Sequence, residues 1–293
     1  MKRYIGCILG FLLILFCTDY LIDRVLYYGL ERYYGMRKDA ELLIVSNSYL
    51  ESGLDSDALE EATNLSTAKY TVSGTSFPTR CAMLAHFMSH QSNAGVKYVL
   101  FCSDIFMLTQ KEISMNEHVH FYPFLDAPVM REYLSQFDTP LNMVKHTLLR
   151  STRYTILSLY YSLRGYLNDT NSYIDDVASI ELWNAKPNYS TTLNENNMKH
   201  LKEMALQYAQ AGVKFILVTP PTNPQYLRHY STTCDSIYKF YRELAGLHPN
   251  IVYLDYTELA RRELFFDRAH LNNSGRTMLT TRLAEDLNYL LIK

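Results

Sequence analysis

Leu42-Leu43-Ile44-Val45-Ser46-Asn47-Ser48 is an apolar, partly β-branched run that ends in a small polar turn ahead of a helix-like segment. Such a run reads as a buried strand, and the turn after it lies where an α/β fold exposes functional side chains, at the carboxyl end of a strand. Outward from this stretch the pattern repeats. Residues 41–46, 69–73 and 96–102 read as strands, with helices over 56–64 and 79–92 between them. Beyond a break, the reading is a helix over 194–210, a strand over 213–218, a helix over 224–247, a strand over 251–255 and a final helix over 274–291. This alternation predicts a three-layer α/β/α sandwich with a mostly parallel sheet.

The break, residues 113–187, holds Tyr122-Pro123-Phe124, a Tyr- and Leu-rich helical stretch over 130–167 and a polar loop over 168–173. It reads as an insertion over the carboxyl edge of the sheet that helps shape a substrate site. Residues 188–197 read as a polar surface loop.

At the amino end, Met1-Lys2-Arg3 precedes an uncharged apolar run from Tyr4 to Thr18, which Tyr20-Leu21-Ile22 extends past Asp19. A positive start followed by an apolar segment directs a chain to a membrane. No small-residue cleavage site follows, so an uncleaved anchor over residues 1–30 is preferred to a removed signal peptide, with a buried core helix as the plain alternative. The expected layout is this anchor followed by one α/β domain over 38–293. With Lys2 and Arg3 retained inside, that domain would be extracytoplasmic. Tyr27, Tyr28, Tyr33 and Tyr34 fit either the headgroup level or an amphipathic helix packed on the domain.

A chain of 293 residues that is 48% hydrophobic can bury one sizeable core. Its net charge of -2 and pI near 6.5 give no electrostatic footprint for nucleic acid, and no nucleic-acid partner is expected. Cys7 and Cys17 fall in the apolar segment, and Cys81, Cys102 and Cys234 form neither a disulfide framework nor a zinc spacing; Cys102 reads as a small buried hydrophobe. His86, His90, His118, His120, His146, His200, His229 and His248 read as isolated surface side chains. No metal or organic cofactor is expected.

The chemistry concentrates near the other end. Leu264-Phe265-Phe266-Asp267-Arg268-Ala269-His270-Leu271-Asn272 sets a carboxylate three residues before an imidazole. In a short turn the Asp can orient the His and stabilise its charged form, so that the His serves as base for a nucleophile elsewhere. Ser48 is the candidate nucleophile. The same Asp and His could instead only cap the last helix, and Ser46, Asn47 and Ser48 could be turn and capping residues.

Taken in chain order, Ser48, Gly74 in Val72-Ser73-Gly74-Thr75, Ser103-Asp104 after Phe101-Cys102, and the Asp267/His270 pair resemble the SGNH/GDSL hydrolase superfamily. Its blocks supply a nucleophilic serine, a glycine, an asparagine and an Asp-x-x-His pair. With the amino-terminal anchor, the layout is similar to membrane-anchored bacterial envelope proteins of that type. The resemblance implies Ser48, His270 and Asp267 as catalytic groups, with Gly74, Ser103, Asp104 and Asn47 near the oxyanion or substrate. It further implies an acylated, often acetylated, cell-surface glycan as substrate and a protein partner in envelope biosynthesis. Two positions depart from the pattern: Ser46 stands where a glycine is usual, and Ser103-Asp104 where an asparagine donates. A carboxylate cannot donate to an oxyanion, and a lost donor costs about 2.7–4 kcal/mol of transition-state stabilisation.

A non-catalytic envelope protein that binds glycan is the competing expectation, favoured by 25 tyrosines. A metal-dependent hydrolase on Asp267 and His270 is a third, for which further ligands are lacking.

Overall fold

The computed structural model describes residues 2–90, 95–109, 117–172 and 190–292. In chain order the elements are α1 (Lys2–Tyr33), β1 (Leu42–Ser46), α2 (Ser48–Gly53), α3 (Ser56–Thr63), β2 (Thr67–Thr71), α4 (Phe77–His90) and β3 (Tyr98–Cys102). Then come α5 (Pro128–Leu134), α6 (Pro140–Leu148), α7 (Ile156–Tyr166), α8 (Glu195–Gln210), β4 (Lys214–Thr219), α9 (Pro224–His229), α10 (Ser231–Ala245), β5 (Ile251–Asp255) and α11 (Asn273–Ile292). The chain divides into two compact units, Met1–Arg37 with Met115–Thr170, and Lys38–Ser114 with Asn171–Lys293.

The second unit is the α/β fold. Its five strands are all parallel in the order β2-β1-β3-β4-β5. Every residue of β1 is buried, as expected of a strand covered on both faces. On one face Leu42, Ile44, Leu100, Ile216 and Val218 join a cluster with Leu59 of α3 and Leu279 and Leu283 of α11. On the other, Phe101 stacks on Phe215 at 5.6 Å and meets Phe77 of α4, while Phe215 stacks on Tyr208 of α8. Full burial of each such side chain contributes about 1.5–3 kcal/mol before entropy is counted.

The chain runs from β1 to its neighbour β2 and then returns to place β3 on the far side of β1. The strand order therefore reverses between β1 and β3, and the loops beyond their carboxyl ends diverge and leave a crevice there. Those loops begin at Asn47 and Ser103.

Strand β2 lies two residues earlier than its pattern suggests. Its Lys69 is buried, donating to the carbonyls of Glu51 at 2.8 Å and Leu54 at 2.6 Å, and burial pushes its ammonium down to about 8. A charge inside a strand hides the apolar signature. The helix read over 224–247 is two, α9 and α10, separated at Tyr230. His86 is no surface residue: it is buried at the end of a contact with the Tyr70 hydroxyl at 3.3 Å. Cys81, Cys102 and Cys234 are buried free thiols, and burial raises that of Cys102 to about 12.

The first unit is helical. Its α1 is, among the described residues, the one helix long and apolar enough to cross a membrane. The helical stretch expected over 130–167 is broken into α5, α6, a 3-10 turn at Arg150–Arg153 and α7, because Pro140 and the Thr139 and Thr155 caps start new helices. Helices α1 and α7 touch backbone to backbone, and a Cβ on Gly165 would overlap the Gly29 carbonyl oxygen. Tyr33 and Tyr34 do not reach a headgroup level as free rings: both are buried, with Tyr33 stacked on Tyr161 at 4.5 Å. Of the insertion read over 113–187, residues 113–116 and 173–187 lie outside the described residues.

Candidate active site

Strand β1 delivers its last residue, Ser46, into the start of α2. Asn47 sits at the N-cap with φ -92° and ψ -158°, its side chain accepting from the Tyr49 amide, while Ser46 Oγ accepts from the Leu50 amide at 3.3 Å. With both side chains spent on capping, Ser48 becomes the first helical residue. Its hydroxyl is left over for other chemistry.

The carboxyl-terminal turn is built around Asp267. One of its oxygens accepts from the amides of Ala269 at 2.7 Å and His270 at 2.8 Å, which fixes the Asp-x-x-His loop ahead of α11. The other lies 2.8 Å from His270 Nδ1, and His270 Nε2 lies 2.9 Å from Ser48 Oγ. The result is an unbroken Asp267–His270–Ser48 relay joining residues 222 positions apart in sequence. Burial disfavours the Asp267 carboxylate, but the His270 ring and the two amides outweigh it and hold the carboxyl below its usual value.

Ser48 and His270 open onto a cavity of about 280 Å³. Gly74 lines it with φ +77°, a backbone conformation that side chains resist, and a Cβ there would meet nothing. The amide of Ser48, in the first helical turn, has no intrahelical acceptor. It and the Gly74 backbone border the same space. Phe77, Phe106 and Met107 give the cavity apolar walls, and Thr109, Asn194 and Asn197 give it polar ones.

The remaining candidates take other roles. Ser103 is fully buried and bonds Thr219 at 3.2 Å, and it is not among the cavity's lining residues. Asp104 lines the cavity, but its carboxylate is an acceptor bound to Arg80 at 2.9 Å and to the Asn47 side-chain amide at 3.3 Å. Asn47 thus spends its side chain on the α2 cap and on Asp104. Arg80, also bonded to the Cys102 carbonyl at 2.8 Å, is a site residue that the sequence reading passed over. A lone arginine among Phe77, Cys81, Met83 and Leu84 on α4 was the available signal, since a charge on a buried helix face needs a partner. Asn194, the N-cap of α8, and Asn197 in its first turn fall where the expected helix over 194–210 and the expected polar loop over 188–197 overlap, and neither was singled out from sequence. Among the described residues no group of three or more His, Cys, Asp or Glu could hold a metal ion.

The sequence matches no family model and no curated protein. Among solved structures it is similar to a protein from Streptococcus pneumonia provisionally described as a platelet activating factor, with a TM-score of 0.45 at 12% identity over 98% of this chain and 99% of that one. It is also similar to a catalytic mutant of Axe2, an acetylxylan esterase from Geobacillus stearothermophilus, with 0.42 at 14% over 84% and 93%. The lipase Lip_vut3 from a goat rumen metagenome follows with 0.35 at 13% over 83% and 96%. Likenesses this distant assign no activity, and the functional reading rests on the geometry of the site.

Proposed function

We propose that this chain is a membrane-anchored, extracytoplasmic serine esterase or O-acyltransferase acting on an O-acyl, chiefly O-acetyl, group of a cell-surface polysaccharide. The observation that carries the reading is the Ser48–His270–Asp267 relay, with both outer distances below 3 Å. A serine hydroxyl becomes a nucleophile when a neighbouring imidazole takes its proton, and the imidazole needs a fixed tautomer and a nearby negative charge. Ser48 Oγ attacks the acyl carbonyl as His270 Nε2 accepts its proton. The proton then passes to the departing sugar oxygen, leaving acyl-Ser48. Water or a second hydroxyl, deprotonated by His270, releases the acyl group and restores the serine. The amides of Ser48 and Gly74 are the donors available to the oxyanion.

The mixed cavity wall suits a sugar ring, whose C–H face packs on apolar side chains while its hydroxyls meet Asn and Thr. α1 supports the anchor. The acceptor character of Asp104 favours a second reading, a glycan-binding protein that keeps the fold without turnover, because it removes the side-chain donor that the oxyanion would use.

The detergent-solubilised full chain, assayed for acetate release from an O-acetylated polysaccharide, separates the two. The esterase reading expects release by the wild type and a loss of about 10⁴-fold or more in Ser48→Ala. Equal rates for the two proteins would refute it.

A further inference from the structure

Helix α7 is inside out for a protein in water. Its buried residues are Ser158, Tyr161, Ser162, Arg164 and Gly165, which face its own unit. Outward it presents Ile156 (87% exposed), Leu159, Tyr160, Leu163 and Leu167. These stand at i, i+3, i+4, i+7 and i+11, one continuous stripe along a helix. An ordinary surface helix turns that stripe to the core and its serines to water. The preceding α6 has no buried residue at all and presents Leu141, Val144 and Leu148 in the same periodic way.

The charge pattern agrees. From Thr139 to Asn168 there is no Asp or Glu, whereas Lys145, Arg150, Arg153 and Arg164 are all basic. Three of the four are compensated from outside that stretch: Arg150 by Asp23 and Asp126, Arg153 by Asp126, and Arg164 by Asp169. The apolar faces therefore carry no carboxylate to oppose contact with an anionic or apolar surface.

The level of these helices along α1 names the occupant. The turn between α6 and α7 caps the two carboxylates that close α1's apolar run. Asp19 accepts from the Arg150 and Ser151 amides at 2.7 and 2.9 Å, and Asp23 accepts from the Tyr154 hydroxyl at 2.8 Å. The exposed stripes of α6 and α7 thus start beside the point where α1 ceases to be purely apolar, next to its own exposed Tyr20, Leu21 and Val25. Contiguous exposed apolar surface of this extent marks an interaction site. Its continuity with α1 makes that site the lipid around α1.

We propose that the outward faces of α6 and α7 lie in the interfacial layer of the leaflet from which α1 emerges, so that the chain holds the membrane by a helical collar as well as by a span. The inference rests on the reading of α1 as a span. A helix lying in the interface buries its apolar face at the boundary between headgroups and acyl chains, and there Asp23 is paired with Arg150 while both oxygens of Asp19 accept hydrogen bonds from the Arg150 and Ser151 amides.

The test places single tryptophans in the full chain, whose one native tryptophan, Trp183, is first replaced by Phe. Leu148→Trp, Ile156→Trp and Leu163→Trp report the collar, Leu13→Trp the span, and Leu247→Trp, exposed in the α/β unit, serves as the aqueous control. Each protein is reconstituted in two sets of phosphatidylcholine and phosphatidylglycerol vesicles, one with acyl chains brominated near the headgroup end and one with chains brominated near the methyl end. The collar expects the three reporters on α6 and α7 to lose fluorescence in the first set and Leu13→Trp, at the middle of the apolar run, to lose it in the second, while Leu247→Trp keeps it in both. If Leu13→Trp is quenched and the three behave like Leu247→Trp, the collar is refuted and the span stands. If Leu13→Trp is also unquenched, span and collar fall together.

Discussion

Asp267 has two tasks: one carboxylate oxygen closes its own turn through two amides, and the other holds the imidazole that faces Ser48. Asp267→Asn keeps the shape but offers the ring an amide donor in place of an acceptor. In esterase assays its rate should fall by about 10⁴-fold, with substrate binding little changed. Its carboxyl ionises more readily folded than unfolded, so the folded state binds fewer protons between the two values. The stability it contributes is complete above about 3.9, the ordinary Asp value, and is lost as pH falls through the lower folded value. The stability difference between wild type and Asp267→Asn, measured by urea denaturation, should accordingly shrink on acidification below that point. Asp104 is a different kind of residue, half of an ion pair with Arg80 in which both side chains are almost wholly buried. Asp104→Ala leaves the guanidinium uncompensated and should cost about 3–5 kcal/mol of unfolding free energy. Ser48, His270 and Asp267, with His270 brought by the fold within hydrogen-bond distance of the other two, could be singled out from sequence because each lies in a turn with its own signature. The pairing of Asp104 with Arg80 was not, since nothing local in Phe101-Cys102-Ser103-Asp104 says which helix will supply a cation.

At the scale of elements, the succession of five strands along the chain followed from apolar runs, while their order in the sheet did not, and the departures have physical causes in particular residues. Lys69 moved β2 because its ammonium is spent on carbonyls inside the fold, a use that no alternation pattern encodes. The helical stretch read over 130–167 is several shorter helices because Pro140 and the Thr139 and Thr155 caps start new ones inside a continuous apolar pattern. The contact of α1 with α7 depends on the absence of side chains at Gly29 and Gly165. Gly165→Ala puts a methyl group into the Gly29 carbonyl and forces the helices apart. It should destabilise the helical unit by about 1–3 kcal/mol, read as a lower thermal midpoint and faster proteolysis between α5 and α7, with the Ser48 site unaffected.

For the whole molecule, α1 is both an apolar helix and the packing partner of the inserted helices. Leu30, Tyr33 and Tyr34 are each at most 3% exposed in the chain, and within its unit Tyr33 and Tyr34 pack on Tyr161. A chain begun at Lys38 loses these residues and leaves Tyr161 and the small face of α7 uncovered. Its soluble yield should fall sharply and its size-exclusion profile should shift to aggregate, whereas the full chain in detergent should elute as a defined species. Activity is therefore best tested on the full chain. The most direct measurement treats the detergent-solubilised wild type, Ser48→Ala and His270→Ala with a fluorophosphonate probe and maps the adduct by mass spectrometry. An activated serine requires one adduct on Ser48 in the wild type and none in either variant. A folded wild type that stays unlabelled, or labelling that survives in His270→Ala, would contradict the relay of Asp267, His270 and Ser48 as a working catalytic device.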